Sequence, residues 1–246
     1  MATISLKATA AACRGLAPPF SVLADLFGYI HTDAAGARFG GQGTTVSLRR
    51  QLQLVRGRAL ALSVFLVGHE HDFTGVVTPA QVQKVQYAIQ ITRDIYAGAD
   101  LGVHRIHWRR IGVTAAGAYT IITDKAEASD LTEDFTSPDD SIDVFFVQQV
   151  LNAGGWSRVR GSCRKDRRDQ MTGAVLELSG SARFTGVLLA HEVGHYLGLR
   201  HADAITNLMG VDSNGDGIGE LSTASTEVTP AQASTMRRHC AVRPPC

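Results

Sequence analysis

The stretch HEVGHYLGLRH, residues 191–201, constrains this chain more than any other part of it. A helix repeats about every 3.6 residues, so His191 and His195 project from one face, a turn apart. Two imidazoles placed that way can grip one zinc ion. Glu192, beside the first of them, reaches a metal-bound water without itself ligating. Gly198 predicts a left-handed end to the helix, after which His201 swings back as a third ligand. Three protein ligands leave the fourth tetrahedral position open, the mark of a catalytic zinc rather than a structural one. In a chain of this composition the full pattern arises by chance with a probability of roughly a few in a hundred thousand, so a coincidence of ordinary histidines is set aside.

Beyond His201 comes Thr206-Asn207-Leu208-Met209-Gly210, a turn-like segment with a methionine. With this second feature the chain resembles the metzincin clan of zinc metallopeptidases. The motifs cover residues 191–210, and a looser agreement in element order runs from about 58 to 246. The resemblance implies that Met209 forms a hydrophobic floor under the three histidines. It also implies a zinc-dependent endopeptidase acting on protein or peptide, with Glu192 as general base and then acid, and it points to secretion. Ala202 departs from the residue that follows the third histidine in matrixins, astacins, serralysins and reprolysins. Val211 stands where astacins and serralysins carry a tyrosine that helps stabilise the transition state. The layout is more similar to pappalysin-like or matrixin-like bacterial types, and the subfamily stays open. A zinc hydrolase or exopeptidase on a small or modified substrate, and a non-proteolytic zinc-binding module, are the alternatives.

Charge excludes other classes. The 24 basic residues nearly balance the 23 acidic ones, so no global field favours nucleic acid or a membrane surface. No apolar run approaches the roughly 18 residues of a transmembrane helix. A monomer is expected. Polar residues interrupt the N-terminal stretch, and no signal peptide is read there. Four cysteines, Cys13, Cys163, Cys240 and Cys246, allow two disulfides in three pairings. A staple between the Cys163 loop and the tail would suit an oxidising compartment. Reduced thiols, or a latency role for Cys13 on the metal, remain the alternatives.

Residues 1–57 read as an N-terminal extension or propeptide, and 58–246 as the catalytic domain. Strands are expected over 58–67, 103–113, with Ile106 and Trp108 on one face, 142–150 and 174–178. A helix begins at Thr78 with a capping box completed by Gln81, and Thr229 with Gln232 repeats the device before a closing helix. The expected fold is α/β (α+β): a mixed twisted sheet, a backing helix, an active-site helix and a C-terminal subdomain carrying the methionine turn. Ala153-Gly154-Gly155-Trp156-Ser157 reads either as a plain turn or as the strand on the cleft rim that pairs with extended substrate. The basic run 158–168 reads as a solvated loop, or as a lure for acidic substrate side chains. Asp212, Asn214 and Asp216 imitate the start of an EF-hand loop, an expectation of calcium, although Thr223 replaces the bidentate glutamate. A series of Asn-Gly and Asp-Gly turns is the alternative.

Overall fold

A computed structural model describes residues 58–69, 77–166, 171–216 and 218–244. The proposed N-terminal extension, Cys13, Cys246, the end of the basic run and Gly217 lie outside the described residues.

The apolar run after Arg58 forms β1 (Ala59–Val67), buried along its whole length. A strand covered on both faces is apolar nearly throughout, which is why this one shows no alternation; its one polar residue, Ser63, accepts from Ser141 Oγ at 2.7 Å. It pairs in parallel with β2 (Gly102–Ile111) on one side and β4 (Ile142–Val147) on the other, and β4 pairs in parallel with β7 (Gly173–Glu177). β6 (Gly155–Ser157) closes the sheet antiparallel to β7, giving the order β2-β1-β4-β7-β6. Alternate residues of β1 serve two cores. Leu60, Leu62, Val64 and Leu66 face α1 (Pro79–Ala97) and α4 (Ala182–Tyr196). Phe65 and Val67 face the opposite layer, with α2 (Val113–Ala116) and α3 (Lys125–Asp134), where Phe65 stacks on Phe145 at 4.4 Å between ring centroids.

Both capping boxes form. Thr78 with Gln81 opens α1, and Thr229 with Gln232 opens α5 (Pro230–Arg237). α1 lies close against α4: a Cβ added at Gly186 would fall 2.5 Å from Ile91 Cβ, so the glycine permits the helix–helix approach.

Two strand expectations need correction. The run 142–150 is not one strand: it breaks at Gln148, and β5 (Gln149–Val150) pairs with β3 (Ile121–Ile122) in a separate two-stranded sheet. β2 ends at Ile111, and Val113 begins α2 instead. Ile106 and Trp108 share a face, beside Leu62 and Val64 of β1, but Trp108 is 43% exposed where Ile106 is buried, because β2 is an edge strand that the helices do not fully cover. The 158–168 segment is not simply solvated either, since Lys165 drives its ammonium onto Asp143 at 2.9 Å under the sheet. The staple from this loop to the tail forms as Cys163–Cys240.

Candidate metal and active site

α4 positions the site. Ser181 caps its start by accepting from the Phe184 N–H at 3.1 Å. Its other end is a Schellman turn: Leu199 N–H donates to Gly194 O at 3.0 Å and Gly198 N–H to His195 O at 2.8 Å, with Gly198 at φ +102°. The chain reverses there and brings His201 back toward the helix. The Nδ1, Nε2 or equivalent donor atoms of His191, His195 and His201 lie within 4.8 Å of one another.

The tautomers follow from the acceptors. His191 Nδ1 meets Leu208 O and His195 Nδ1 meets Leu199 O, each at 2.9 Å. A carbonyl only accepts, so each Nδ1 carries the proton and each Nε2 keeps its lone pair. Burial, and then the neighbouring His195, push His191 down to about 3. Burial pushes His195 down to about 4, and it also lowers His201, which Asp212 and Asp216 partly offset. His195 Nε2 and His201 Nε2 stand 3.2 Å apart. Neutral rings at that spacing, with lone pairs turned to a common point, suit a cation between them. The residues fit zinc.

Met209 is fully buried beneath this point, and a Cβ added at Gly194 would fall 3.0 Å from its sulfur. The turn that carries it is held by Asn207, which accepts from the Met209 N–H at 3.0 Å and exchanges two amide hydrogen bonds with Gln232 of α5, each 2.9 Å. The backing helix also reaches in, through Tyr96 O–H donating to Ala190 O at 2.8 Å.

Glu192 is buried at 4% exposure, and that burial raises its carboxyl to about 8. It faces β6, where a Cβ added at Gly155 would lie 2.9 Å from Glu192 Oε1 and 2.7 Å from Val175 O. Gly155 is therefore required by the close approach of the rim strand to the carboxylate. A cleft of about 230 Å³ opens here, lined by the three histidines, Glu192, the rim strand, Leu188 and Leu221. Within the Ala153–Ser157 segment, Gly155–Ser157 is thus an edge strand bordering the cleft.

The 212–220 loop closes on its own amides, as turns do. Asn214 Oδ1 accepts from Asp216 N–H at 3.1 Å, and Asp216 Oδ1 from Ile218 N–H at 2.8 Å. Among the described residues its acids form no group of three within 4.8 Å, and calcium is not shown.

Sequence reasoning missed the parts supplied by backbone. The Leu199 and Leu208 carbonyls that orient two histidines leave no side-chain signature. Arg160 N–H donates to His195 O at 2.9 Å and Gly161 N–H to Tyr196 O at 2.8 Å, so the segment after the rim strand caps the carbonyls at the end of α4. Tyr196 O–H returns to Ser162 O at 2.6 Å and Thr172 O at 3.0 Å. Only the Asn207–Gln232 pair was discoverable in advance, through a polar residue inside an apolar turn.

A parallel-rich sheet backed by two helices, one of them carrying a three-histidine centre beside a buried glutamate and above a methionine turn, is the architecture of a metzincin-type metallopeptidase. Residues 68–244 match the Metallo-peptidase family M12B Reprolysin-like, and the chain belongs to that family. The motif left the subfamily open and leaned toward pappalysin-like or matrixin-like types; the family matched is the reprolysin-like one instead. Among solved structures the chain is similar to archaemetzincin from Methanopyrus kandleri, with 16% identity, 74% of this chain and 95% of that one covered, and a TM-score of 0.46. It is also similar to metalloproteinase-II from Bacteroides fragilis, with 12% identity, 74% and 53% covered, and a TM-score of 0.48. The chain spans about half the length of the latter. A search of the curated proteins finds no match.

Proposed function

We propose that the chain is a zinc endopeptidase in which His191, His195 and His201 hold the metal and Glu192 is the general base and acid. The observation that carries this reading is the pairing of three neutral imidazoles, aimed at one point, with a buried carboxyl on the same helix at the edge of a cleft. Bound zinc would supply Lewis acidity toward the scissile carbonyl and the attacking water.

The residues of the chain do the rest. Leu199 O and Leu208 O fix the ring orientations, and Met209 fills the space beneath. Glu192 is held protonated by burial and becomes a competent base beside a cation, because an opposite charge favours the carboxylate. It takes one proton from water as the water oxygen bonds to the carbonyl carbon. The same proton goes to the amine nitrogen as the C–N bond breaks. The open edge of β6 offers backbone groups to an extended substrate, which favours internal peptide bonds. Val211 supplies no phenol, so the developing oxyanion has no tyrosine donor from that position. We read residues 1–57 as an extension preceding the catalytic domain, and the Cys163–Cys240 bridge as fitting an oxidising, extracellular setting.

Glu192→Gln tests the assignment of the base. The variant is expected to keep one zinc per chain while kcat/KM on a blocked peptide falls by about 10²–10⁴-fold. Cleavage undiminished in that variant would remove Glu192 from the mechanism.

A further inference from the structure

The cleft is not electrically neutral. Lys125, in the first turn of α3, and Arg200, immediately before His201, both line it. Both are exposed, and the charge of Lys125 reaches His195. Among the described residues neither makes a hydrogen bond or an ion pair.

The acids closest to Lys125 in sequence are already engaged, while Asp203, the acid closest to Arg200, is exposed, forms no ion pair with it and does not line the cleft. Asp124 accepts from the Glu127 N–H at 2.9 Å as the cap of α3. Glu127 accepts from Thr123 N–H at 2.7 Å and from Thr123 Oγ1–H at 2.9 Å. Asp212 and Asp216 act on His201 but do not line the cleft. Among the described residues Glu192 is the one acidic residue in the lining, and it is buried against Gly155. Two cations, both unspent, therefore border a cleft whose one acid among the described residues is withdrawn from the surface. Such an arrangement favours an anionic group on the ligand and disfavours a cationic one on the same footing.

We propose that Lys125 and Arg200 are specificity-determining residues that select substrates bearing a carboxylate beside the scissile bond. The carboxylate is either an acidic side chain or a free C-terminus; both present the same planar anion to an ammonium and a guanidinium. This rests on the peptidase reading above and adds the substrate class to it.

The test uses matched peptides that differ only by Glu, Gln or Lys at the positions flanking the cleaved bond, each with a blocked or a free C-terminus. Zinc-loaded full-length protein is compared with Lys125→Gln, Arg200→Gln, the double variant and Lys125→Glu. Binding of the same labelled peptides to metal-free protein is followed by fluorescence anisotropy, which removes ligation of the carboxylate by the metal as an explanation. The expected result is a preference for the carboxylate of about tenfold in kcat/KM and in affinity, the lower end of what charge-assisted hydrogen bonds contribute. It should shrink to within about twofold in the double variant and turn toward lysine-bearing peptides in Lys125→Glu. A preference seen in blocked peptides assigns the carboxylate to a side chain; one seen only with free termini assigns it to the chain end. Equal handling of all peptides that are cleaved overturns the inference and leaves the peptidase intact. Absence of cleavage of every peptide by zinc-loaded protein contradicts the peptidase reading, and anisotropy on metal-free protein then decides the carboxylate preference by itself.

Discussion

A carboxylate buried without a hydrogen-bond partner is costly as an anion, and imidazoles buried among carbonyls are costly as cations. Glu192, His191 and His195 put both costs into one small volume. They act on the stability of metal-free protein with opposite signs. The two histidines, whose folded values of about 3 and about 4 lie below the ordinary 6.5, take up protons more readily when unfolded. Their contribution is complete above about pH 6.5 and is lost as pH falls toward those folded values. Glu192, raised from 4.5 to about 8, binds its proton more tightly when folded, so its contribution is complete below pH 4.5 and is lost as pH rises through 8. The Tm of metal-free protein should therefore decline on both sides of about pH 6.5. In Glu192→Gln the alkaline decline should flatten while the acid decline persists; an unchanged alkaline limb would show that Glu192 is not the group responsible. Zinc loading at pH 7 should also release a proton from Glu192, visible as a buffer-dependent binding enthalpy that is smaller in the Gln variant.

At the scale of elements, α4 and its exit are where sequence and structure agree most closely. The helical period, the Gly198 stop and the returning histidine are local relations, and local relations are written in the order of residues. Gly198 at φ +102° cannot be replaced cheaply. Gly198→Ala should cost about 1–3 kcal/mol and weaken zinc binding, checked by denaturant unfolding alongside metal titration. Zinc affinity left intact would mean that His201 is placed by something other than the turn. The rim strand was legible only as one of two options. A three-residue strand that opens on a glycine carries almost no periodicity, and its identity depends on pairing with β7 far along the chain. The same reason hid the break after β4, since Val150 continues the apolar pattern while pairing elsewhere. The cap formed by Arg160 and Gly161 on α4 was not legible at all, being backbone to backbone. It is held from behind by His239 Nε2–H donating to Gly161 O at 3.0 Å and by the Cys163–Cys240 bridge. That bridge joins residues 77 apart, a separation for which loss of the cross-link costs about 4 kcal/mol in the chain-entropy account. Cys163→Ser/Cys240→Ser should lose stability of that order and release zinc faster. An unchanged release rate would confine the bridge to global stability.

For the molecule as a whole, one sheet separates two cores, and the site sits where α4, the rim strand and the methionine turn converge on its far edge. The start of the central strand β4 is fastened by charge. Lys165 Nζ donates to Asp143 at 2.9 Å and approaches Asp139 at 3.5 Å, with Asp143 fully buried. Burial raises Asp143 against the pull of Lys165, whereas hydrogen bonds from Ser141 and the Lys165 charge overcome burial at Asp139 and hold it well below the ordinary carboxylate range. Removing one partner of such a pair leaves an uncompensated buried charge, so Lys165→Met should destabilise the fold by about 3–5 kcal/mol in chemical denaturation. A loss under about 1 kcal/mol would show the pair to be solvent-screened. Nothing in the basic run marked this lysine apart from its neighbours, because its partners lie in a different part of the chain. The whole arrangement serves a single claim, that this family member cuts peptide bonds with a metal held by His191, His195 and His201. The most direct measurement is hydrolysis of blocked, internally quenched peptides by protein of known metal content, before chelation, after it and after zinc is restored. The account predicts cleavage that disappears with the metal and returns with one zinc per chain; cleavage indifferent to the chelator, or a chain that binds no zinc, would contradict it.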